Sequence, residues 1–175
     1  NDHETEGRGM LWSSKGGGEN ITFAATFSEY GEKMKEDLWS TLQRHIESNE
    51  RPVRIADIGC GRGDAMREVK ERYNEEIITI GFELARLRSH QFLDRLVIGN
   101  FEKDPLPPCL KGMVDMVVSD QVFRYFLNPF GEPQKKVYEM LKPEGTGHID
   151  VFACDFPKER ECYDISPNST LTITK

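Results

Sequence analysis

What this 175-residue chain lacks narrows its function before any motif is considered. No apolar run approaches the about 20 residues needed to cross a bilayer as a helix, so no membrane role is expected. No basic stretch leading into an apolar segment opens the chain, so no signal peptide is read. Residue 1 is Asn, as in a processed or trimmed chain. Positive charge is in the minority: 23 Lys and Arg stand against 30 Asp and Glu, for a net charge of −7. That balance excludes a broad basic surface for gripping a nucleic-acid backbone, though not a local basic groove. Cysteine is scarce, at Cys60, Cys109, Cys154 and Cys162, and none of the four are in Cys-x-x-Cys spacing. Neither a metal site nor a disulfide framework is expected, and the setting inferred is reducing and cytoplasmic. In that setting the acceptor-like Asn20-Ile-Thr22 and Asn168-Ser-Thr170 carry no glycosylation. There is no internal repeat, and the length suits one domain with a proper core.

What the chain does have is the stretch Ile55-Ala-Asp-Ile-Gly-Cys-Gly-Arg-Gly-Asp64. The apolar run Val53 to Ile58 reads as a buried strand, and Asp64 opens a helical pattern carrying Ala65, Met66, Val69 and Tyr73 on one face. Between them lies a tight turn with Gly59, Gly61 and Gly63. Glycine permits positive φ and lets backbone approach a ligand closely. Free N–H groups at a helix start favour a carboxylate or a phosphate. The spacing is Asp57-x-Gly59-x-Gly61-x-Gly63, whereas the dinucleotide fingerprint is Gly-x-Gly-x-x-Gly. An acid two residues before the first glycine suits a ligand with an ammonium beside its carboxylate, which S-adenosylmethionine (SAM) has and NAD lacks.

Elsewhere the periodicity predicts alternating elements. Met34, Leu38, Trp39, Leu42 and Ile46 predict one helix from Glu32 to about Glu47, stopped by Ser48-Asn-Glu-Arg-Pro52. Ile21 to Phe27 reads as a short extended piece. Strands are expected at Ile77–Phe82, Arg95–Ile98, Met113–Ser119 and Gly147–Cys154. Helices are expected at Leu84 to about Leu93 and at Gln134–Leu141, with a short helical stretch over Val122–Leu127. Three prolines make Asp104 to Leu110 a loop. The pattern predicts an α/β fold, a mostly parallel sheet with helices on both faces and right-handed crossovers. The ligand is expected at the carboxyl ends of the strands, beside the first one. Residues 1–30 read as a mobile arm or lid that includes Trp12, and residues 31–175 as the folded domain.

From Arg51 to Phe156 the sequence resembles the class I SAM-dependent methyltransferases. The resemblance rests on the glycine turn with Asp57 and on Val137-Tyr-Glu-Met-Leu-Lys-Pro-Glu-Gly145, where Glu144 replaces the first glycine of the family's pair. It implies a Rossmann-like fold and SAM as cofactor. The methionine end would lie on Asp57, Gly59, Cys60, Gly61 and Gly63. Glu83, with Leu84 after it, would take the ribose, and Asn100 and Phe101 would border adenine. Asp120 would stand at the methyl end, and Asp120 and Tyr125 are the candidates for catalysis, with Gln121 and Arg124 beside them. The chain departs from the family after Phe156, where nineteen residues leave room for one strand at Leu171–Thr174, so the last strands are expected to be abbreviated or missing.

The acceptor is not legible. Asn128-Pro129-Phe130 lies too late for an amino-methylating signature, and Pro108-Cys109 falls before the fourth strand, where no cytosine-type thiolate is used. The ribose-methylating tetrad is incomplete, with His148, Ile149 and Asp150 where a lysine belongs. A small molecule or a protein is favoured as acceptor over RNA, with a partner subunit or a homodimer envisaged. The rival reading is a catalytically silent, methyltransferase-like subunit acting through a partner chain.

Overall fold

The computed structural model describes residues 25–84, 92–152, 154 and 164–175. The Trp12 segment and most of the helix expected at Leu84–Leu93 lie outside these residues.

Among the described residues ten α-helices and strands follow one another: α1 (Phe27–Met34), α2 (Leu38–Glu47), β1 (Val53–Ile58), α3 (Asp64–Tyr73), β2 (Ile77–Glu83), β3 (Arg95–Ile98), β4 (Val114–Ser119), α4 (Glu132–Met140), β5 (Leu141–Asp150) and β6 (Thr170–Thr174). The strands form one sheet in the order β3-β2-β1-β4-β5-β6. Every neighbouring pair is parallel except β5 with β6, which is antiparallel. The order reverses beside β1, because β2 and β4 flank it in opposite directions along the chain. The expected α/β architecture is therefore present, and among the described residues β6 is the single antiparallel strand of the sheet.

β1 is apolar on both faces because both are covered, as a central parallel strand requires. Ile55 faces one core with Met66, Val69, Leu42, Phe27 and Met116, beneath α1, α2 and α3. Ala56 and Ile58 face the other with Ile80, Val117, Val137 and Ile149, beneath α4.

Four expectations need correction. The single helix over Glu32–Glu47 is two helices. Thr26 caps α1 in a reciprocal capping box with Glu29, Lys35 ends it in the left-handed region, and Asp37 caps α2 by accepting from the Ser40 amide. Phe27 belongs to α1 and not to the expected extended piece, of which residues 21–24 lie outside the described residues; Phe27 and Tyr30 are buried, so the folded part reaches back before residue 31. β5 begins at Leu141 and ends at Asp150, because Leu141 already pairs with Val114 and Glu144 takes a positive φ within the strand. The proline loop contains a 3-10 turn at Pro108–Leu110, with Pro at its start where no N–H is needed.

Candidate functional site

The glycine turn lies at the carboxyl ends of the strands, where a reversal of strand order leaves a crevice. Gly59, Gly61 and Gly63 all take positive φ. Gly59 also has no room for a side chain, since a Cβ there would stand 2.1 Å from Val122 Cγ2. The turn is docked to β2 by the Gly59 and Cys60 amides, which donate to the Phe82 carbonyl at 2.8 and 3.2 Å. Gly63 caps α3 without a side chain, so no side-chain acceptor takes up the N–H groups of the first turn. Ser119 Oγ donates to the Ile58 carbonyl at 2.9 Å and holds the end of β4 against the end of β1.

Carboxylates stand at or just after the ends of four adjacent strands, β2, β1, β4 and β5. Asp57, on β1, is 0 % exposed, and Tyr30 Oη donates to it at 3.1 Å. Burial pushes the Asp57 carboxyl up to about 8; the Tyr30 bond lowers it, and the Asp120 and Glu83 charges add to the rise. Burial and the Asp57 charge likewise raise Tyr30 well above the ordinary phenol range. Glu83, on β2, accepts from the Gly61 amide at 3.0 Å through Oε2 and from the Leu84 amide at 2.8 Å through Oε1. Burial raises its carboxyl and those two N–H bonds lower it. Each oxygen keeps capacity for one more donor. Asp120 follows β4 directly, and Lys33 Nζ stands 2.8 Å from its Oδ2. Its Oδ1 is buried with no hydrogen-bond partner. Asp150, at the end of β5, has its carboxyl raised by burial, and its Oδ1 accepts from the Phe152 amide at 2.8 Å.

The other candidates fall into place around these. Cys60 is buried, and burial pushes its thiol up, which leaves a packing group and not a nucleophile. Gln121 takes a positive φ, and its Oε1 accepts from Arg124 Nη2 at 3.1 Å. The same Arg124 atom stands 3.0 Å from Tyr125 Oη. Asn100 Oδ1 already accepts from the Glu102 and Lys103 amides at 3.0 and 3.2 Å, so its side chain folds the loop on itself. Phe101 packs edge-on to Phe82 and stacks on Phe126 with ring centres 6.2 Å apart. His148 bonds Glu36 and Thr146, a satisfied histidine of the sheet.

Sequence reasoning missed three residues here. Tyr30 and Lys33 come from α1, separated by 27 and 87 residues from the acids they meet, and only the capping box hinted that a helix began there. Lys136, on α4, is buried and donates to the carbonyls of Phe101, Glu102 and Asp104 at 2.7, 3.0 and 2.6 Å, which fixes the loop after β3. No described helix is long and apolar enough to cross a membrane.

No protein-family model matches the sequence, and neither does any curated protein. Solved structures do match. A TehB-like SAM-dependent methyltransferase from Corynebacterium glutamicum superimposes with a TM-score of 0.57 at 16% identity, over 85% of this chain and 97% of that one. The antibiotic-resistance methyltransferase Kmr gives 0.50 at 12% identity, over 75% and 89%. Other matched methyltransferase structures are longer, and the chain spans 56%, 27% and 44% of three of them. These likenesses show a shared fold.

Proposed function

We infer that this chain, which has the fold of the class I methyltransferases, binds SAM and transfers its methyl group. The observation that carries the reading is the ring of carboxylates Asp57, Glu83 and Asp120 around one glycine turn at the switch point of the sheet. A pocket with Glu83 and Asp120 on its walls and the N-terminus of α3 at its end suits a ligand with cationic centres, one carboxylate and a ribose.

SAM supplies a methyl group on a sulfonium, and transfer is an in-line displacement that needs alignment and exclusion of water more than a nucleophilic side chain. Gly59, Gly61 and Gly63 give the methionine end close access to backbone. Asp57 works from beneath the turn: its buried carboxyl, held protonated by burial, anchors Tyr30 of α1 against the end of β1. Glu83 has one free lone pair on each oxygen for the ribose hydroxyls, next to Leu84. The loop around Asn100 and Phe101, braced by Lys136, borders adenine. The Asn100 oxygen is already used twice, so the adenine amine falls to the loop backbone. Asp120 and Tyr125 face the methyl side and are the residues placed to meet an acceptor. With its acidic balance, the chain favours a small molecule or a protein as acceptor over RNA, in the cytoplasm, alone or with a partner subunit.

Calorimetric titration with S-adenosylhomocysteine, with NADH as control, tests this. Micromolar binding of the first and none of the second is expected. Binding of neither overturns the reading and leaves a silent subunit as the better one.

A further inference from the structure

The parallel register of β4 and β5 pairs Val118 with His148 and Ser119 with Ile149. One step further, the same register sets Asp120 beside Asp150. Residues paired in this way point to the same face, on strands about 4.8 Å apart. The two carboxyl groups therefore share the face covered by α1. Lys33 Nζ stands 2.8 Å from Asp120 Oδ2, and Thr170, which pairs with Asp150 on β6, donates to the Met34 carbonyl at 3.1 Å. Both acids are sheltered: Asp150 is 8% exposed and the Asp120 side chain 9%. Asp150 Oδ1 accepts from the Phe152 amide at 2.8 Å, at a turn that leaves Phe152 63% exposed directly beyond the acid.

Asp120 Oδ1 is buried with no hydrogen-bond partner, and a buried carboxylate oxygen is costly to leave without a donor. Burial raises the Asp150 carboxyl and the Phe152 amide lowers it; the Asp120 charge raises it further, and the Gln121 amide and the Arg124 charge lower it. A carboxyl raised towards the working pH is suited to taking up a proton. Lys33 and Arg124 offset the charge of the pair, so recognition rests on the protons that the acceptor brings and not on net charge. A carboxylate brings none and needs no base. A hydroxyl brings one and serves one acid. A primary ammonium brings three N–H donors, which serve both acids and still free a lone pair. Phe152 offers an apolar wall at the same strand end, of the kind that holds the body of a small ligand.

We propose that the methyl acceptor is a primary amine on a small apolar body, with its nitrogen between Asp120 and Asp150 and its body on Phe152, and that Asp150 is the base. This rests on the SAM-dependent reading above and names the substrate class of that site. Asp150 takes one proton from the ammonium, and Asp120 Oδ1 accepts from a remaining N–H. The freed lone pair forms the N–C bond as the S–C bond of the sulfonium breaks. The sulfur keeps that bonding pair as a neutral thioether, and the product is a secondary ammonium.

The test measures S-adenosylhomocysteine formed from SAM with 2-phenylethylamine and tryptamine, with the matched 2-phenylethanol and 3-phenylpropionate, and with a lysine-containing peptide. Wild type is expected to methylate the free amines and neither isostere. Asp150→Asn is expected to lower kcat about a hundredfold or more, while calorimetry shows S-adenosylhomocysteine still bound within about threefold. Phe152→Ser is expected to raise KM about fivefold or more with kcat kept within about twofold. Comparable transfer to the alcohol or the carboxylate, or an unchanged kcat in Asp150→Asn, overturns the proposal. So does a preference for the peptide, which moves the amine onto a protein. A wild type that binds S-adenosylhomocysteine and methylates no amine also overturns it and leaves the cofactor reading standing. Failure to bind S-adenosylhomocysteine overturns both.

Discussion

Asp57 is a buried acid that accepts a hydrogen bond from a neutral phenol, Tyr30, and the consequence for folding is measurable. Replacing it with Asn keeps the shape and the oxygen that accepts from Tyr30, and removes the charge. In the native chain the carboxyl titrates at about 8, pushed up first by burial. In the unfolded chain it titrates near about 3.9. Between those values the native state holds a proton that the unfolded state has lost, so the stability Asp57 contributes is full below about pH 4 and is lost as pH rises to about 8. At about 1.4 kcal/mol per pH unit, the upper limit of the loss over that window is about 6 kcal/mol. Asp57→Asn has no such slope. Its amide N–H groups add a penalty of about 1–3 kcal/mol, the same at every pH. Glu83 and Asp150, also raised, are present in both proteins and cancel in the difference. Urea unfolding of both proteins at pH 5, 6.5 and 8 gives that difference directly. The variant should gain on wild type by at least about 2 kcal/mol from pH 5 to pH 8. Parallel stabilities at the three pH values would refute a carboxyl held neutral by burial.

Three further outcomes are expected. Glu83→Ala should weaken S-adenosylhomocysteine by about 1–3 kcal/mol through lost charged hydrogen bonds; unchanged affinity in the calorimeter removes Glu83 from the ribose. Gly59→Ala puts a Cβ 2.1 Å from Val122 Cγ2 at a φ of +77, so it should cost about 2 kcal/mol or more of stability and most of the binding. A wild-type melting temperature in that variant shows that the turn is looser than described. Lys136→Met leaves three carbonyls without their donor and should lower stability by about 2–4 kcal/mol. A shift smaller than about 0.5 kcal/mol in urea unfolding contradicts its role as the brace of the loop after β3.

The central strands β1, β2 and β4 were legible because they are buried on both faces. Val53–Ile58 and Arg95–Ile98 have the predicted bounds, and Ile77–Glu83 and Val114–Ser119 differ by one residue at one end. The glycine turn was legible because positive φ at three alternate positions demands glycine. Helix ends were harder to read. Apolar spacing runs through Glu32–Glu47 without a break, and the division at Lys35 and Asp37 depends on capping bonds that periodicity does not report.

The sequence by itself determined the order of elements, the parallel sheet and the turn, since each follows from local preference and from hydrophobic pattern over neighbouring residues. Only the tertiary structure decided how the site is charged and closed. Folding brings Lys33 to Asp120 across 87 positions and Tyr30 to Asp57 across 27. It turns the Asn100 side chain onto its own loop and buries Lys136 under the carbonyls after β3. Ion pairing and desolvation depend on distance and burial in space, and neither is carried by spacing along the chain.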